Sequence, residues 1–263
     1  MRDIIDEIRD KLLQIEEQEQ VSILLAVESG SRAWGFASPD SDYDVRFIYV
    51  RKQEDYLALN PPGDVIEWQL DDVLDINGWD LRKALLQFRR GNATLFEWSN
   101  SPVVYRKTPL WEKIYDRVKI YFSEKAAVYH YYGTAKSTLE GYLQQERVKY
   151  KKYFYALRPL LACRYIEQYH KIPPVLFDEL LKMELPDDLR NEMDTLIKIK
   201  TATGEGQLNP SLPVITDFII SETGRQKQLA NEMTDDRRTE WDTLNEVFLA
   251  ALTKRGERFL CPV

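Results

Sequence analysis

The chain has 263 residues, of which 44% are hydrophobic, 12% aromatic and 30% charged, with a formal net charge of -7. That apolar fraction suffices for a packed core and excludes general disorder. The acidic balance speaks against non-specific coating of nucleic acid, though an acidic body can carry a local basic patch. The longest apolar stretches, such as Val21–Val27, fall far short of the roughly 18–20 residues that span a bilayer.

Ile4, Ile5, Ile8, Leu12 and Ile15 recur at helical spacing, so residues 2–19 read as an amphipathic helix rather than a signal peptide, and a cytoplasmic protein is expected. Val21–Ser29 has the look of a buried strand. Ser38–Pro39–Asp40–Ser41 is turn chemistry, and the run from Asp42 to Val50 (DYDVRFIYV) reads as a second strand. A loop ends in Asn60–Pro61–Pro62–Gly63. Two more short strands, Val65–Gln69 and Val73–Ile76, flank Asp71–Asp72, and a helix begins at Trp79 and stops at Gly91.

After Pro109 nearly everything has a helical period, with helices expected at about 109–128, 134–170, 174–183, 187–200, 213–232 and 235–254. Pro159 should kink or break the second, and Thr203–Gly204–Glu205–Gly206 marks a loop. This shift places a domain boundary at residue 108, with an α/β unit over 1–108 and a helical unit over 109–263. Cys163 and Cys261 belong to no CxxC pair and read as buried fillers or free thiols. His130 and His170 are too far apart for a zinc site.

The segment richest in chemistry is Ser29–Val50. A buried strand runs into Gly30–Ser31 ahead of an expected helical turn, whose first amides can hold phosphate oxygens, with Arg32 as a further cation. Asp42 and Asp44 are two apart on a strand, so both carboxylates face one way, roughly 6–7 Å apart, while Tyr43 points away. A shared divalent cation relieves their repulsion at neutral pH. A phosphate grip beside a metal grip suits phosphoryl or nucleotidyl transfer.

GS followed about ten residues later by DxD on a strand resembles the nucleotidyltransferase superfamily that includes DNA polymerase β. More narrowly, GSRAWGFASPDSDYDVR, WDLRKAL, the GN…EW stretch of Gly91–Trp98 and KKYFYALRPLLACR are similar to the RNA-repair-pathway DNA polymerase β family (RlaP, YcgL-like proteins), over most of residues 25–175. The resemblance implies an α+β fold: a small mixed sheet flanked by helices, followed by an all-helical domain that closes over the nucleotide. It implies Mg²⁺ on Asp42 and Asp44, one ion or two, with Mn²⁺ able to substitute. It also implies a third carboxylate that binds metal or acts as base, for which Asp75 matches best and Glu67 and Asp80 are alternatives. The expected reaction is transfer of a nucleoside monophosphate from an NTP, ATP favoured, to an acceptor hydroxyl. An RNA 3′ end is the favoured acceptor. A protein or small-molecule acceptor is the alternative, as is a non-catalytic nucleotide-binding regulatory module.

Six basic and no acidic residues lie between Arg147 and Arg164. Arg147, Lys151, Tyr155 and Arg158 would form one helical stripe, in which Lys151 and Arg158 contact the nucleotide or an RNA end. Lys149 and Lys152 would lie on other faces. Lys198 and Lys200 form a weaker second cluster. Trp34 and Phe36 read as core or pocket wall, and Asp40 as a loop cap.

Overall fold

A computed structural model describes residues 4–38, 40–69, 73–202 and 207–259. The turn at Pro39, the Asp71–Asp72 separator, the loop at 203–206 and Cys261 lie outside the described residues. In chain order the elements are α1 (Ile4–Gln18), β1 (Ser22–Glu28), α2 (Gly30–Trp34), β2 (Tyr43–Val50), α3 (Gln53–Leu57), β3 (Val65–Gln69), β4 (Leu74–Asp80), α4 (Leu81–Arg89), α5 (Ala93–Ser99) and β5 (Val104–Lys107). Then follow α6 (Pro109–Val118), α7 (Glu124–Tyr142), β6 (Arg147–Lys149), α8 (Lys151–Tyr169), α9 (Phe177–Leu180), α10 (Asp187–Ala202), β7 (Leu208–Pro210), α11 (Pro213–Glu232) and α12 (Asp242–Phe259).

β1 to β5 form one mixed sheet in the order β3-β4-β2-β1-β5, in which β2 and β4 run parallel and the other neighbours antiparallel. This is the small mixed sheet with flanking helices that the resemblance implied. Its two faces follow from period-two alternation. Val45, Phe47 and Tyr49 of β2, with Leu74 and Ile76 of β4, pack against Ile8, Leu12 and Ile15 of α1. Ile48 and Val50 face the other way, into a cluster with Leu81, Leu85 and Phe88 of α4 and Phe96 and Trp98 of α5. Asp44 and Arg46 share that second face, at the end of the strand where the apolar cover stops.

Four expectations need correction. The helix expected over 109–128 ends at Val118, and α7 opens only at Glu124. The helix expected over 134–170 is two helices, because Arg147–Lys149 pairs with Leu208–Pro210 as a two-stranded ribbon. Residues 143–150 therefore leave the helical path, tertiary pairing overriding local period. α8 continues through Pro159, whose neighbours Leu157, Leu160 and Leu161 are fully buried. Core packing there outweighs one lost backbone hydrogen bond. Nor does residue 108 separate two cores: Trp111, Ile114 and Val118 of α6 and Leu244, Val247 and Ala251 of α12 share the cluster that covers the sheet. A second cluster, built by α7 to α11, receives Phe36 from the loop before β2. Among the described residues no helix is long and apolar enough to cross a membrane.

Candidate active site

The site is built where β1 ends, α2 begins and β2 starts. Gly30 has φ +61°, in the left-handed region, and a Cβ there would lie 2.4 Å from Asp44 Oδ2. Glycine is therefore required twice: for the turn, and for the close approach of the Asp44 carboxylate to the backbone. The chain is pinned across the gap by Ser29 N donating to Asp44 O (2.9 Å) and by Asp44 N donating to Glu28 Oε1 (2.7 Å). Glu28 is 1% exposed, and its other carboxylate oxygen accepts the Tyr105 hydroxyl.

The parallel register puts Asp44 of β2 opposite Asp75 of β4. Both carboxylates reach one nitrogen of Arg46: Nη2 stands 3.1 Å from Asp44 Oδ1 and 2.8 Å from Asp75 Oδ2. Asp42 lies just before β2 and is exposed. Its charge is nonetheless felt at Asp44, whose carboxyl is raised above the ordinary range. Burial is the main cause, Arg46 opposes it, and the negative charges of Asp75 and Asp42 add to it. Burial likewise raises Glu28, against the hydrogen bonds from Tyr105 and Asp44. The site is thus a cluster of carboxylates in which Arg46 bridges Asp44 and Asp75, while the charge of Arg32 acts on Glu28.

The two alternatives to Asp75 stand elsewhere. Glu67 on β3 is opposite Asn77 and accepts from its side chain at 3.2 Å. Asp80 lies at the other end of β4, where it caps α4 by accepting from Arg82 N (2.7 Å) and accepts the Tyr56 hydroxyl (2.8 Å).

Two basic residues expected at the nucleotide, Arg32 and Arg158, are engaged within the fold. Arg32 donates to Asp42 O (2.9 Å) and Ser41 O (2.5 Å), and its guanidinium lies 3.6 Å above the Tyr43 ring. It is occupied in holding the loop that delivers Asp42. Arg158 is 1% exposed, donates to Glu97 Oε1 (2.7 Å) and Val175 O (3.2 Å), and lies 4.8 Å from the Trp34 ring. It is a buried tie between helices, so the expected surface stripe from Arg147 to Arg158 does not exist. Lys151 opens α8 beside Arg147, Lys149 and Lys152, around a cavity of its own. Lys198 lies on α10, and the Lys200 side chain lies outside those described. Ser31 is 8% exposed within α2.

Glu28 and Arg46 are site residues that sequence reasoning missed. The signals were present: an acid closing the otherwise apolar run SILLAVE, and an arginine two residues after Asp44, hence on its face of the strand.

Among the described residues no three His, Cys, Asp or Glu side chains form a ready-made metal cage. Mg²⁺ needs none: it is usually held by one or two carboxylates together with water and substrate phosphates. Hard oxygen donors on Asp44 and Asp75, already sharing one cation, fit that requirement.

The chain is 43% identical over 244 residues, 92% of its length and 94% of the other's, to the uncharacterized protein YcgL of Bacillus subtilis (strain 168). A crystal structure of a nucleotidyltransferase-like protein from Exiguobacterium sibiricum 255-15 aligns over 97% of this chain and 91% of that one. Its identity is 10% and its TM-score 0.30, too loose a match to bear on the fold. The family model for RlaP, the RNA repair pathway DNA polymerase beta family, matches residues 4–250. A glycine cradle against a strand carboxylate, with a second carboxylate in register beside it, is thus found in a chain that belongs to the RNA repair pathway DNA polymerase beta family of nucleotidyltransferases.

Proposed function

We propose that the protein transfers a nucleoside monophosphate from an NTP, ATP favoured, to an acceptor hydroxyl in the cytoplasm, with an RNA 3′ end as the favoured acceptor. The observation that carries this reading is the meeting of Asp44 and Asp75 on one cation beside Gly30. Asp42, Asp44 and Asp75 would hold Mg²⁺, one ion or two, or Mn²⁺ in its place. When bound, such an ion offsets the charge of the triphosphate and of the departing pyrophosphate.

The chain's own residues do the rest by positioning. Acceptor oxygen attacks the α-phosphorus, a new P–O bond forms, and the bond to pyrophosphate breaks. The acceptor proton passes to Asp75, which is half-exposed on the open end of the sheet face. Glu28 holds the Asp44 backbone, and Arg46 bridges the Asp44 and Asp75 carboxylates. Amides of Gly30 and Ser31 face the triphosphate in the family reading, and Lys151 lies apart from them, with the basic residues at the start of α8.

The test incubates the protein with each α-³²P-labelled NTP and Mg²⁺, with and without short and transfer RNAs, beside Asp44→Asn. Label on RNA with the wild type alone supports the reading and names the NTP. Label on protein alone moves the acceptor to a polypeptide. Equal labelling by Asp44→Asn contradicts the site.

A further inference from the structure

A cavity of about 340 Å³ lies between the end of α7, the β6 strand and the first turn of α8. Arg147, Lys149, Lys151 and Lys152 line it, and among the described residues no Asp or Glu does. Four cations around one concavity is an unusual concentration in a chain of net charge -7. Like charges gathered in a cleft focus a positive potential there and draw anions into it. Burial and the charges of Lys151 and Lys149 push the Lys152 ammonium below its usual range.

The cleft is built rather than improvised from trailing side chains. Arg147 Nη2 donates to Leu208 O across the β6–β7 ribbon (2.9 Å). Lys152 Nζ sits 3.8 Å from the centre of the Tyr142 ring and 5.5 Å from that of Tyr155. Tyr142 is 52% exposed, an aromatic face at the rim of a basic cleft. Tyr155 meets Trp34, the last residue of α2, edge-on with centroids 5.2 Å apart, and α2 begins at the glycine that cradles Asp44. The cavity's Lys152 is therefore linked through Tyr155 to the element that opens the carboxylate site.

Resting on the nucleotidyltransferase reading, we propose that this cavity binds consecutive phosphates of a single-stranded acceptor, with Tyr142 as a stacking platform, and so directs its 3′ end toward Asp44 and Asp75. Cations spaced around a groove with an aromatic at its edge are the combination that single strands require. A free triphosphate would instead need the cations at the carboxylates themselves.

The experiment measures fluorescence anisotropy of a 5′-labelled twelve-nucleotide oligo(A) RNA across a salt series, with ATP affinity measured in parallel. Wild type, Arg147→Glu/Lys149→Glu, Lys149→Gln and Asp44→Asn are compared, each checked for folding by circular dichroism. The double variant is expected to lose RNA affinity about tenfold or more, with a log–log salt slope shallower by about 0.7 for each phosphate no longer neutralised. Lys149→Gln should flatten the slope by about one such step, which guards against misfolding of the reversed pair. Asp44→Asn should bind RNA as wild type does, so the cavity stands or falls separately from the transfer reaction. Unchanged RNA affinity and slope in the double variant would overturn the proposal. So would a loss of ATP affinity with RNA binding intact, which would assign the cavity to the triphosphate.

Discussion

Gly30 is the point at which backbone and chemistry are least separable. A methyl group there meets Asp44 Oδ2 at 2.4 Å, and the φ of +61° is strained for any L side chain by about 1–2 kcal/mol. Gly30→Ala is expected to leave a folded protein with Asp44 displaced, and transfer reduced about a hundredfold. Melting temperature and single-turnover rate together check this, and a variant with wild-type rate would refute it. Asp80 carries a different prediction. Burial raises its carboxyl to about 6, against 3.8 for an unperturbed aspartate. The folded form then binds a proton that the unfolded form has released, so this group makes stability fall as pH rises from about 4 to about 6. Asp80→Asn retains an N-cap acceptor and removes the titration. Its stability relative to wild type should improve across that window by at most about 3 kcal/mol. Urea melts at the two ends of the window measure it, and a difference independent of pH would contradict it.

At the scale of elements, α8 is joined to α5 and α2 by Arg158, through its ion pair with Glu97 and its contact with Trp34. Breaking a buried pair leaves the surviving charge without compensation, at about 3–5 kcal/mol. Glu97→Leu should therefore destabilise strongly, and adding Arg158→Met should recover much of that stability. Denaturant unfolding of the single and double variants tests this, and simple additivity would show that the two charges are not coupled. The elements also show where sequence reading worked. β1, β2, the α2 turn and α11 were legible because each combines a clean period with Gly, Pro or turn residues at its ends. The break between α7 and α8 was not, because β6 owes its existence to β7, a partner far along the chain. For the same reason Arg158 read as an exposed phosphate ligand: its position in a basic run is local, whereas Glu97 and Val175, which bury it, are distant.

On the scale of the whole molecule, one sheet face is sealed at one end by α4, α5, α6 and α12 and left charged at the other. The chain thereby exposes Asp44 and Asp75 on a rigid platform and links the basic cavity of α7, β6 and α8, through Lys152 and Tyr155, to the α2 turn. The DxD strand announced Asp42 and Asp44. It could not announce the in-register pairing with Asp75, which depends on β4 lying parallel to β2, or the bridging Arg46. The proposed reaction stands on Asp44 and Asp75 holding the catalytic metal together. The most direct test is Mn²⁺ binding in the presence of ATP, followed by electron paramagnetic resonance, in wild type, Asp44→Asn, Asp75→Asn and Glu67→Gln. Nucleotide-dependent Mn²⁺ binding should be present in wild type and Glu67→Gln and abolished in both aspartate variants. Wild-type binding by Asp75→Asn, or its disappearance in Glu67→Gln alone, would contradict the claim.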